Sequence, residues 1–120
     1  MRVVFWIAGL ASLAMAGVLQ ASEREPLQPR VAPDKIQSAK KEKNPFQATP
    51  ENIAKGKVIF EGKGTCFICH GMEGKGDGPA AVGLDPSPRN FTNLAFQAVR
   101  TDGELMYVLK NGSPGTAMMP

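Results

Sequence analysis

Between Gly71 and Asn90 the chain carries five glycines and three prolines: Gly71, Gly74, Gly76, Gly78, Gly83, Pro79, Pro86 and Pro88. Proline removes a backbone donor and glycine raises the entropic cost of order, so neither helix nor strand can run through most of that stretch. It must be a long loop, and a long loop in a small domain has to pack on something. The chain's own side chains offer little to pack on, because only 7% of its 120 residues are aromatic and its one Trp lies near the N-terminus. A large rigid ligand under the loop would resolve the conflict.

The length allows at most one domain, which excludes a large catalytic domain. Charged residues make up 21% and the formal net charge is +3. With no dense Lys/Arg block, that balance excludes a nucleic-acid binder.

Arg2 precedes an uncharged run from Val3 to Leu19, followed by small residues and then Glu23-Arg24-Glu25. This reads as an export signal over residues 1–21, cleaved after Ala16 or after Ala21. The run also sits at the lower edge of what spans a bilayer, so an uncleaved N-terminal membrane anchor is the alternative. Either reading exports the rest of the chain, to the periplasm or the outer face of the cytoplasmic membrane. Membrane association follows only if the segment is uncleaved. Residues 22–48, rich in proline and charge, read as a linker that would reach on the order of 30 Å as a flexible chain.

Ordered structure is expected over residues 49–120. Thr49-Pro50-Glu51 offers an N-cap, a proline suited to the first helical position and a carboxylate for the positive end of the dipole. A helix to Glu61 follows, with Ile53, Gly56, Ile59 and Phe60 on one face. Phe91 to Val99 predicts a short helix capped by Thr92 or Asn93. Thr101-Asp102-Gly103-Glu104 is a capping box, followed by an expected buried stripe of Leu105, Met106, Val108 and Leu109 and a stop at Asn111-Gly112. No period of two is sustained anywhere, so the fold class is all-α.

Cys66-Phe67-Ile68-Cys69-His70 is C-x-x-C-H, the attachment sequence of a covalent haem. Two intervening residues put both thiols on one turn, at a separation suited to the two vinyl groups of one porphyrin. The histidine that follows is carried under the ring, where one nitrogen can bind iron. A redox dithiol would want a βαβ setting, which is absent. A zinc site would lack a fourth Cys or His. A disulfide across the short loop is the remaining alternative use of the cysteines. Since His70 is the only histidine, a ligand for the other side of the iron must come from the methionines. Met1 and Met15 lie in the N-terminal segment, Met72 is too close to the attachment sequence and Met106 belongs to a helix stripe. Met118 and Met119 remain.

Over residues 50–120 the chain resembles the class I, monohaem, His/Met-ligated c-type cytochromes. The resemblance rests on C-x-x-C-H and on Pro114-Gly115-Thr116-Ala117-Met118. It implies one haem c held by Cys66 and Cys69, with His70 as proximal and Met118 as distal iron ligand, Met119 being the alternative. It further implies a proline carbonyl, of Pro88 or Pro79, accepting the free imidazole N–H. Members of this family add a C-terminal helix that packs across the first helix at a contact resembling Gly56 and Phe60. The sequence is therefore expected to be C-terminally incomplete, or that face covered by another chain, and Ile53, Gly56 and Phe60 should lie open.

The implied function is one-electron transfer, as a carrier or as a haem module of a respiratory or dehydrogenase complex, without catalysis of its own. Redox proteins are the expected partners, with Lys55, Lys57, Lys63 and Lys75 placed to attract an acidic face. Phe60, Phe67, Ile68, Leu84, Phe91, Phe96, Leu105 and Leu109 are the candidates to bury the ring. The alternative is a five-coordinate c-type haem that binds a small ligand or has peroxidase-like activity.

Overall fold

The computed structural model describes residues 27–120, so the signal or anchor read over 1–21 lies outside the described residues. A 3-10 turn at Pro33–Lys35 leads into α1 (Ile36–Lys41), followed by α2 (Pro50–Glu61), α3 (Phe67–His70), α4 (Leu94–Val99) and α5 (Asp102–Asn111). There is no strand among the described residues, in keeping with an all-α fold. Nor is any helix among them long and apolar enough to cross a membrane.

The helices start where local chemistry dictates. The Thr49 side chain accepts the Asn52 N–H at 3.2 Å and Pro50 opens α2. Asn93, rather than Thr92, caps α4 by accepting the Phe96 N–H at 3.1 Å. That helix begins at Leu94, later than Phe91, because Thr92 is tied back to the Asn90 side chain in a turn. At α5 the capping box is complete: Thr101 Oγ1 accepts the Glu104 N–H at 3.3 Å, and Glu104 Oε2 accepts the Thr101 N–H at 3.0 Å. Gly112, with φ 70°, ends the helix.

One expectation fails. Residues 27–44 are not a free linker, since the 3-10 turn packs on α1 and α1 on α5, with Val31 and Ala39 buried. Prolines lower the entropic cost of ordering this segment. Its contacts use backbone groups and small side chains, which leave no apolar period in the sequence. On α5 the side packed by the rest of the chain is not the apolar stripe. Leu105, Met106 and Leu109 remain partly exposed, whereas the buried residues are Gly103 and Glu104. The side of α5 that packs faces segment 27–44, and that segment presents carbonyls rather than apolar side chains.

On α2 the face expected to lie open is open at Ile53 and Gly56 but not fully at Phe60. Ile53 is 61% exposed, Ile59 is exposed and Phe60 half-buried. A Cβ added at Gly56 would meet nothing within 4 Å.

Candidate functional site

Cys66, Cys69 and His70 share the single turn of α3 and its N-cap. A helix of four residues cannot sustain itself, and its last carbonyls need partners. The glycine-rich loop provides them. Ala80 N–H donates to Ile68 O at 2.9 Å, Gly78 N–H to Cys69 O at 3.1 Å, and Gly76 N–H to His70 O at 2.8 Å, beside Gly71 N–H to Phe67 O at 2.8 Å. The close approach demands glycine: a Cβ at Gly78 would sit 2.6 Å from Phe67 O, and one at Gly76 2.5 Å from Pro88 O. The loop that the sequence forbids from being helix or strand is thus the C-cap of the C-x-x-C-H turn.

The same loop orients the histidine. Phe91 N–H donates to Gly74 O at 2.7 Å. The Phe91 ring stacks on the His70 imidazole, with centroids 4.4 Å apart and planes 20° apart. Phe96, buried, backs Phe91 at 6.1 Å and carries the Arg89 guanidinium 5.3 Å from its own centroid. His70 Nδ1 lies 3.0 Å from the Arg89 carbonyl. A carbonyl only accepts, so Nδ1 carries the proton and Nε2 the free lone pair. This corrects the expectation of Pro88 or Pro79: the chain direction at Pro88 turns that residue's carbonyl toward Gly76, and the next carbonyl, of Arg89, meets the imidazole. Burial pushes the His70 pKa below its ordinary value, with the Arg89 bond opposing, so the ring is neutral at pH 7.

Neither cysteine is in a disulfide, and both are half-buried. Cys66 Sγ lies 3.4 Å from Gly64 O. Among the described residues, no three His, Cys, Asp or Glu side chains converge to hold a metal ion between them.

The distal candidates lie in a separate loop after α5. Ser113 N–H donates to Met118 O at 2.9 Å, Thr116 Oγ1 donates to Ser113 O at 2.7 Å, and Met118 N–H donates to Thr116 Oγ1 at 3.1 Å. Met118 is half-buried in this closed turn, while Met119 is 74% exposed.

Two free thiols and a neutral, oriented imidazole on one turn fit a covalently attached haem. The apolar residues fit it too. Of the eight ring-burying candidates only Phe96 is buried by the protein itself, while Phe60, Phe67, Leu84 and Phe91 are half-buried and Ile68, Leu105 and Leu109 exposed. They leave apolar surface that a large flat apolar group would cover.

Sequence reasoning missed the Arg89 carbonyl, since a backbone acceptor has no side-chain signature. It also missed the buried Arg100–Glu104 pair, 8% and 1% exposed, for which the i,i+4 spacing was a visible signal. Three of the four lysines singled out in the sequence make ion pairs on the surface. Lys55 pairs with Glu51 at 2.7 Å, Lys57 with Glu61 at 3.5 Å, and Lys75 with Glu73.

No curated protein and no solved structure matches the chain. Residues 53–120 match the family model of cytochrome c, a span that begins inside α2 and takes in the C-x-x-C-H turn, its glycine cap and the methionine loop. With the site built from those same parts, the chain belongs to the cytochrome c family, whose members carry a covalently attached haem c and transfer electrons.

Proposed function

We propose that Cys66 and Cys69 bind the haem as thioethers, that His70 and Met118 hold its iron from opposite sides, and that the protein is an exported one-electron carrier or the haem module of a respiratory or dehydrogenase complex. When bound, the haem supplies reversible one-electron chemistry at its iron. The observation that carries the reading is the setting of His70: stacked on Phe91 and tied through Nδ1 to Arg89 O, with Nε2 left as the donor atom. The carbonyl raises the basicity of the imidazole and stops its rotation.

Met118 is preferred to Met119 because its backbone closes the loop through Ser113 and Thr116, whereas the Met119 side chain stands in solvent. A thioether is a weak donor that favours the reduced ion and raises the potential. With side chains on both sides, no ligand position remains for oxygen or a substrate. Export rests on the apolar run Val3–Leu19, and the partners are redox proteins met in small, brief contacts.

Haem staining after a denaturing gel tests attachment: colour stays with the wild-type chain and is absent from the Cys66→Ser/Cys69→Ser variant. The weak far-red band of a thioether-ligated ferric haem tests the distal ligand, lost in Met118→Ala and kept in Met119→Ala. Avid carbon monoxide binding by the reduced wild-type protein overturns the carrier reading in favour of the five-coordinate one.

A further inference from the structure

Segment 27–44 touches the parts of the molecule that lead to both proposed iron ligands. At its start, Leu27 O accepts from Arg100 and Gln28 O accepts from Arg89 Nη2 at 3.4 Å. Arg89 is the residue whose carbonyl holds His70, so a single residue joins the segment to the proximal side. Arg100 is the buried partner of Glu104, the N3 residue of α5. One nitrogen of its guanidinium, Nε, is buried without a hydrogen bond, which makes the Leu27 carbonyl a contact of consequence for a desolvated cation.

The end of the segment lies on α5 directly. A Cβ at Gly103 would collide with Ala39 O and stand 2.7 Å from Glu42 O. The absence of a side chain at position 103 thus lets the final turn of α1 rest its carbonyls over the positive N-terminus of α5. Asn44 Nδ2 donates to Asp102 Oδ2 at 3.0 Å, and Lys110 Nζ reaches Glu42 Oε1 at 3.4 Å. Between these ends, residues 29–33 form one wall of a cleft of about 450 Å³ whose other wall is Tyr107 and residues 111–114. Those residues are the root of the methionine loop, where Ser113, buried, bonds Met118.

We propose that residues 27–44 are a positioning strap that holds α5 and the root of the methionine loop on one side and Arg89 on the other, and so governs the persistence of Met118 ligation without touching either ligand. The proposal rests on His70 and Met118 being the ligands. A loop that detaches is a two-state element, and contacts made only in the attached state shift its population. The strap acts on the base of that element: the Asn44–Asp102 and Glu42–Lys110 pairs fix α5, from whose C-terminal end the methionine loop departs.

The test uses the full-length haem protein and Gly103→Val, which lifts the final turn of α1 and lies outside the ligand loops. The variant is expected to keep its covalent haem and its reduced thioether-haem spectrum. Its far-red band should melt at lower temperature, and carbon monoxide should bind the reduced form about tenfold faster, as a shift of about 1.4 kcal/mol in the loop equilibrium gives. A wild-type-like band and rate in that variant overturn the strap. Absence of the band in the wild-type protein overturns the ligand reading and the strap with it. Hydrogen exchange in the wild-type protein is a second measurement, for the case in which Gly103→Val does not fold. The Glu42, Ser113 and Met118 amides should open as one unit, and exchange of Ser113 and Met118 at free energies unrelated to Glu42 overturns the proposal.

Discussion

Both α2 and α5 start at a threonine whose hydroxyl accepts an N–H of the first turn, at 3.2 Å for Thr49 and 3.3 Å for Thr101. Their surroundings then diverge. On α2, Ile53, Val58 and Ile59 are exposed, no residue is buried, and two ion pairs with solvent-facing lysines decorate the surface. On α5 the strap covers one side, Glu104 is 1% exposed, and Arg100 satisfies it. A threonine cap on both helices with unequal burial separates two decisions. Local chemistry decides that a helix exists and where it starts. What arrives from elsewhere in the chain decides whether it is part of the interior.

The sharpest way to break the comparison is Glu104→Ala. Removing one partner of a buried pair strands the Arg100 guanidinium and undoes half of the capping box, so urea unfolding of the haem protein should show a loss of about 3–5 kcal/mol. A loss no larger than that of an exposed pair would remove the distinction drawn for α5. The caps come next: Thr101→Ala and Thr49→Ala should each cost about 1 kcal/mol in the same assay. Comparable values support capping as a local property, and a much larger cost at Thr49 would mean that α2 is packed after all. Smallest are the changes on the open helix. Val58→Ser, at a residue 71% exposed, and Lys55→Ala should each stay within about 0.5 kcal/mol of wild type.

Much of the site could be read from the residues. C-x-x-C-H names the attachment turn, the density of Gly and Pro after it announces a loop with a packing duty, and Thr101-x-x-Glu104 marks a helix start that forms as expected. The acceptor for His70 is neither of the expected proline carbonyls, Pro88 or Pro79, but that of Arg89. Which carbonyl faces the imidazole depends on the direction of the chain, and every residue carries the same carbonyl. The strap was read as a linker for a related reason: Val31 and Ala39 are its only buried side chains, and its other ties are the carbonyls of Leu27, Gln28, Ala39 and Glu42 with polar groups at the surface. Hydropathy records side chains, so a segment docked through its backbone resembles a solvated one.

By itself the sequence determined the starts of α2 and α5, the chemistry of the two thiols and the one histidine, and the irregular course of the chain from Gly71 to Asn90, because each follows from interactions within a few residues. Tertiary structure alone decided that the loop caps α3, that Arg89 rather than a proline orients His70, that Glu104 is interior, and that residues 27–44 close over α5. Each of those joins groups far apart in sequence. Such a joining depends on which backbone donors, carbonyls and small residues meet in space, a property that no local pattern encodes.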